Sequence, residues 1–175
     1  MGADVRCLPF ADNQFDIILS NSILDHFQSS GEIVTSLREL HRVLRPGGQL
    51  ILTLDNLANP IIALRSLLPF RLLNRLELVP YFIGVTCSPR TLQHALTEIG
   101  FKVLEVSTVI HCPRILAVRV AGILQRFANS RTQRRLLRIL MMVEYLSRLP
   151  TRFFTGHLTA AQAIKLPSCN ASPFG

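Results

Sequence analysis

Tryptophan is absent from these 175 residues, and there are two tyrosines and two lysines, Lys102 and Lys165. So few large flat rings leave phenylalanine as the main stacking side chain. No nucleic-acid recognition motif accompanies them, and a nucleic-acid partner is not expected. Four scattered cysteines are too few for a disulfide framework. Cys7, Cys87 and Cys169 lack ligand-like spacing, and His111-Cys112 is too short a pair to define a site, so no metal is expected. No apolar run approaches about 18 residues without a charge, which excludes a membrane-spanning helix. Asp4 and Arg6 fall where a signal peptide's apolar stretch would begin. A cytoplasmic protein, at most peripheral to a membrane, is the expectation.

Apolar residues make up 49% of the chain, ample for one packed core and too many for a disordered chain. The net charge is +8, and it is concentrated. Residues 1–113 are close to neutral, whereas residues 114–152 carry nine arginines against the single acid Glu144. A near-neutral body with one basic, apolar-rich segment points to an anionic partner at one face.

Short-range patterns give an α/β order of elements. Residues 15–20 form an apolar, β-branched run after the turn signal Asp12-Asn13, which predicts a buried strand. Ile33, Leu37, Leu40 and Leu44 recur at helical spacing over 31–45, with Ser29 or Ser30 as cap. Arg45-Pro46-Gly47-Gly48 stops that helix, and 49–54 reads as a second strand, parallel to the first. Helices are predicted over 61–68, 70–78, 89–99, from 113 to 127, and over 131–149. Further strands are predicted over 101–110 and 158–166.

Residues Ala3 to Asn21, with Leu8-Pro9-Phe10 and Phe15-Asp16, resemble the middle of a class I S-adenosylmethionine-dependent methyltransferase of the small-molecule subgroup. The resemblance continues through Leu37–Leu50 with Arg45-Pro46-Gly47-Gly48, and through Ser88–Val103. It implies a partial Rossmann-like fold, a mostly parallel sheet with an antiparallel C-terminal strand and added helices. Residues 1–167 would be the C-terminal part of such a domain, with 56–85 and 113–150 as helical insertions and 168–175 as a flexible tail. The family's glycine-rich cofactor loop and the acid that holds the ribose do not occur here, since Gly47-Gly48 follows a helix. The edge of strand 15–20 would then lie open, a place for self-association.

The resemblance implies S-adenosylmethionine as cofactor and a small, apolar or lipid-like acceptor, with methyl transfer impaired in this chain alone. Asp4 matches the position that accepts from the adenine amino group, Val5 and Leu8 would make apolar contacts near it, and Asn21 would run past the methionine part. Ser22 and Asp25 would face the acceptor. His26 suits a general base, with local packing or hydrogen bonding as its other reading. A non-catalytic, methyltransferase-like fragment is the alternative.

Arg131, Arg134, Arg135 and Arg138 share one helical face by their spacing. Such a basic amphipathic helix fits an anionic membrane surface, or else is the solvated side of a helix packed on the sheet. The first of these makes a peripheral membrane-binding module over 131–149 a third reading of the chain.

Overall fold

The computed structural model describes residues 2–68, 75, 84–111, 122, 130–149 and 151–167. The helices predicted over 70–78 and 113–127, and the tail from 168, fall outside these residues but for positions 75 and 122. Four strands form one sheet: β1 (Phe15–Asn21), β2 (Leu44–Asp55), β3 (Phe101–Val109) and β4 (Leu158–Lys165). The helices are α1 (Ser30–Val43), α2 (Pro60–Leu67), α3 (Pro89–Ile99), α4 (Ser130–Glu144) and α5 (Arg152–Thr155), with 3-10 turns at Leu24–His26 and Tyr145–Arg148. The strand order is β1-β2-β4-β3. β1 and β2 pair parallel, and β4 runs antiparallel to both β2 and β3. The sheet is therefore parallel in three strands, with the last strand inserted antiparallel between β2 and β3.

α1 begins where the sequence offers a reciprocal cap. The Ser29 hydroxyl accepts from the Glu32 N–H, and the Glu32 carboxylate accepts from the Ser29 N–H at 3.1 Å. A capping box of this kind contributes about 1 kcal/mol. The helix ends at Val43 rather than at Arg45, because Leu44 already has extended backbone (φ −78, ψ 134). The glycine pair is not a free turn between helix and strand. It lies in a bulge within β2, between the pairs Phe15–Leu44 and Ile17–Gln49. Gly47 has φ +78, and a Cβ on Gly48 would sit 2.8 Å from the Arg45 carbonyl oxygen. Only glycine fits that approach.

Alternation along β2 puts Leu50, Leu52 and Leu54 on one face, all fully buried. Ala163 and Ala161 of β4 stand opposite Leu50 and Leu52. Their small side chains leave room for Leu37 and Leu40 of α1 and Leu92 and Leu96 of α3 in the same core. Each fully buried leucine contributes about 1.5–3 kcal/mol. The burial expected of strand 15–20 does not hold, because the other side of β1 is bare: Ile17 and Leu19 are 60% and 68% exposed. Among the described residues no strand pairs with β1 on its outer edge.

Candidate active site

Ligands in open α/β sheets sit beyond the C-terminal ends of the parallel strands. At that end, β1 passes into Asn21, Ser22 and the turn Leu24–His26. The Thr53 hydroxyl donates to the Asn21 side-chain oxygen at 2.6 Å, and the Ser22 N–H donates to the Thr53 carbonyl at 3.0 Å. Ser22 has φ +49, an unfavourable left-handed conformation for a non-glycine residue. It costs about 1 kcal/mol and swings the chain sharply off the strand end.

That swing buries Asp25. Its side chain is 6% exposed, and its Oδ1 has no hydrogen-bond partner. Burial raises its pKa above the ordinary aspartate value, and the nearby Asp55 carboxylate raises it further. His26 is half-exposed, with its Nε2 3.8 Å from that Oδ1. The Gly84 N–H closes the turn from the other side by donating to the Asp25 carbonyl at 2.7 Å.

Asp55 ends β2, and its Oδ2 accepts from Arg65 of α2 at 2.6 Å. His157, just before β4, has its Nε2 4.0 Å from the Asp55 Oδ1. Because β4 is antiparallel, its start lies beside the end of β2, with Leu158 paired to Asp55. The Asn56 amide donates to the Phe153 and Gly156 carbonyls at 2.7 and 2.9 Å, and the Asn59 amide donates to the Thr155 carbonyl at 3.1 Å. These bonds fasten α5 over the strand ends. A Cβ on Gly156 would lie 2.4 Å from the Thr108 Cβ, so the close approach depends on glycine. The result is a buried polar floor holding two carboxylates, one guanidinium and one imidazole, with a second imidazole at its rim.

A second feature lies alongside β1. An apolar cleft of about 410 Å³ is lined by Val5, Leu8, Phe10, Ile18, Ser20 and Ile23 among others. The Ser20 hydroxyl in its wall is buried without a hydrogen-bond partner. Asp4 is not among its lining residues. The Asp4 carboxylate instead accepts from Arg6, from the backbone N–H at 2.9 Å and from Nη2 at 2.7 Å, and this pairing holds its pKa down at about 2.

The residues singled out in sequence thus fall into three groups. Asn21, Ser22, Asp25 and His26 are brought together at the strand ends. Val5 and Leu8 line the cleft, with Asp4 beside them in the chain but engaged with Arg6. Arg131, Arg134, Arg135 and Arg138 lie on α4, exposed. Asp55, Arg65 and His157 were not singled out. An acid closing an apolar strand at its C-terminal end was the signal for Asp55. Among the described residues no group of His, Cys, Asp and Glu could hold a metal ion.

Residues 1–52 match the family model of a methyltransferase domain. The chain is 50% identical over 44 residues to the uncharacterized protein YafE of Escherichia coli, which is 25% of this chain and 20% of that one. It is 45% identical over 51 residues to a malonyl-[acyl-carrier protein] O-methyltransferase of Coxiella burnetii, 29% of this chain and 17% of that one. In structure it is similar to phosphoethanolamine N-methyltransferase 2 of Haemonchus contortus in complex with S-adenosyl-L-methionine. The TM-score there is 0.54 at 15% identity, covering 94% of this chain and 36% of that one. The chain thus spans well under two thirds of these relatives' own length.

Proposed function

We propose that this chain, whose first 52 residues belong to the methyltransferase-domain family and whose fold is that of class I S-adenosylmethionine-dependent methyltransferases, serves methyl transfer to a small acceptor seated over His26 and Asp25. The observation that carries this reading is the His26–Asp25 pair, half-exposed imidazole in front of a buried carboxylate, at the C-terminal end of β1.

The family's cofactor is S-adenosylmethionine, and the cleft beside β1 fits part of it. Its walls at Val5, Leu8 and Ile18 suit the flat apolar faces of an adenine, and the unpartnered Ser20 hydroxyl offers a hydrogen bond within them. Asp4 can join only by releasing part of its hold on Arg6. No carboxylate lines the cleft to take the ribose hydroxyls, among the described residues. Binding by these 175 residues alone is therefore weak, and turnover by them alone is low.

When bound, the cofactor supplies an electrophilic methyl group. The chain's own residues position the acceptor and take its proton. His26 is within reach of solvent and accepts the proton of an acceptor hydroxyl or amine. Asp25 behind it stabilises the imidazolium that forms, and Asp55, held by Arg65, keeps a second carboxylate nearby in a dry floor. Ile23, 46% exposed beside the pair, favours an apolar acceptor.

Calorimetric titration of S-adenosylmethionine into the purified chain tests the cofactor half of this reading. Saturable heat at high cofactor supports it, and a folded chain giving no heat overturns it. Transfer of labelled methyl from cofactor to a panel of small hydroxyl and amine acceptors tests the other half.

A further inference from the structure

We propose that the outward face of α4 docks on an anionic lipid bilayer. Among the residues of this helix whose side chains are described, Leu136, Leu140 and Val143 are half-buried. At helical spacing they fall on one side. Arg131, Arg134, Arg135 and Arg138 occupy the opposite side and are exposed. That outward side does not stay polar. Past the arginines it continues as Met142 and, in the following 3-10 turn, Tyr145, 74% and 61% exposed, with Met141 beside them at 69%. Apolar surface therefore faces solvent on the same side as the guanidinium groups, rather than only packing inward.

This arrangement discriminates between partners. A merely solvated basic face has no use for two exposed methionines, whose hydration is unfavourable. A nucleic acid would engage the arginines through its phosphates and gain little from thioethers beside them. A bilayer surface takes both: acidic headgroups meet the guanidinium groups, and methionine and tyrosine side chains enter the boundary with the acyl chains. Arg148 lies over the Tyr145 ring at 4.6 Å and donates to its hydroxyl at 3.2 Å, so charge and ring act at one place. The helix is not a membrane span, since no described helix is long and apolar enough to cross. Three arginines, Arg131, Arg134 and Arg135, in the first half of the helix also oppose its dipole, an arrangement that an anionic surface relieves. This inference concerns where the protein acts, and it stands independently of the acceptor chemistry.

The sequence has no tryptophan, so Met142→Trp places a single reporter on the face. The variant of the 175-residue chain is mixed with vesicles of phosphatidylcholine alone, or with phosphatidylglycerol added, at low and high salt. The expected result is a blue shift of emission and co-flotation with the anionic vesicles only, weakened by salt. Each Arg→Gln change at 131, 134, 135 and 138 lowers partitioning about fivefold. In the chain without the reporter, Met141→Ser with Met142→Ser reduces flotation while the circular dichroism stays unchanged. Equal response to neutral vesicles, no response to anionic ones, or flotation untouched by the serine changes overturns the proposal. So does salt-sensitive binding to single-stranded RNA in place of vesicles. Should the arginine variants fail to fold, the tryptophan shift and the serine pair still decide the matter.

Discussion

Lys165 on β4 donates a hydrogen bond to the Asn13 side-chain oxygen at 2.8 Å, joining positions 152 residues apart. The same ammonium donates to the carbonyls of His41 and Leu44 at 2.7 and 2.8 Å. Those carbonyls belong to the end of α1, where a helix leaves acceptors without intrahelical donors and presents its negative pole. The residue is 6% exposed, and burial lowers the pKa of its amine. Lys165→Met removes all three donors and leaves their acceptors buried. The expected loss is about 2–3 kcal/mol in urea unfolding. An unchanged midpoint would show that water replaces the ammonium.

His41 gives the fold a sensitivity to mild acid. Burial lowers its pKa below the ordinary 6.5, and Lys165 lowers it further. The unfolded chain therefore takes up this proton first as pH falls. The stability linked to neutral His41 is complete above pH 6.5 and declines as pH drops below it, toward the depressed folded value. Thermal unfolding of wild type and His41→Gln between about pH 7 and pH 5 checks this, and the variant should show the shallower decline.

Asp25 acts in the opposite sense. Its raised pKa means that the folded state holds this proton more tightly than the unfolded state does. The linked stability is complete below about pH 4 and is lost as pH rises through the folded value. At neutral pH the buried carboxylate is a burden. Asp25→Asn should raise Tm there by about 2–4 °C, with the gain vanishing toward pH 4. A gain of equal size at both pH values would assign the effect to packing.

In catalysis the two members of the pair should separate by role. His26→Gln is expected to lower methyl transfer about 10²–10⁴-fold while calorimetric cofactor binding stays as in the wild type. Asp25→Asn should lower transfer less and shift its pH profile, because it acts through the imidazole. Equal cofactor loss in both variants would place the pair in the cofactor cradle instead.

The bare face of β1 makes self-association through this strand a testable expectation. Ile17 and Leu19 stand exposed on the edge strand, which invites pairing with a second copy. Ile17→Lys with Leu19→Glu should increase the monomer fraction in analytical ultracentrifugation. An unchanged distribution would show that the edge does not mediate association.

Local pattern was sufficient for most elements. The strand predicted over 15–20, the helix over 89–99 and the strand over 101–110 stand within one residue of their observed bounds, because each is framed by a turn signal, a capping serine or a closing glycine. The family resemblance supplied the antiparallel last strand. The polar floor was harder to read. Asp55 stands one residue past the predicted strand, Arg65 sat among the residues of an amphipathic helix, and His157 precedes the last strand by one. Nothing local links them; the pairing of β2 with β4, about a hundred residues apart, makes them neighbours. The partners of Lys165, Asn13, His41 and Leu44, are likewise more than a hundred residues away in sequence. Asp4 shows the reverse case, where a partner two residues away engages a carboxylate that the resemblance assigned to adenine.

The insertion of β4 between β2 and β3 has a consequence in time. Both flanking strands are synthesised before the strand that separates them. At about 5–20 residues per second, the stretch from Asp55 to Leu158 takes a ribosome roughly 5–20 s. Through that interval β2 presents the edge meant for β4, with Leu50, Leu52 and Leu54 awaiting Ala163, Ala161 and Thr159. The sheet closes only once β4 has emerged to take its place between β2 and β3.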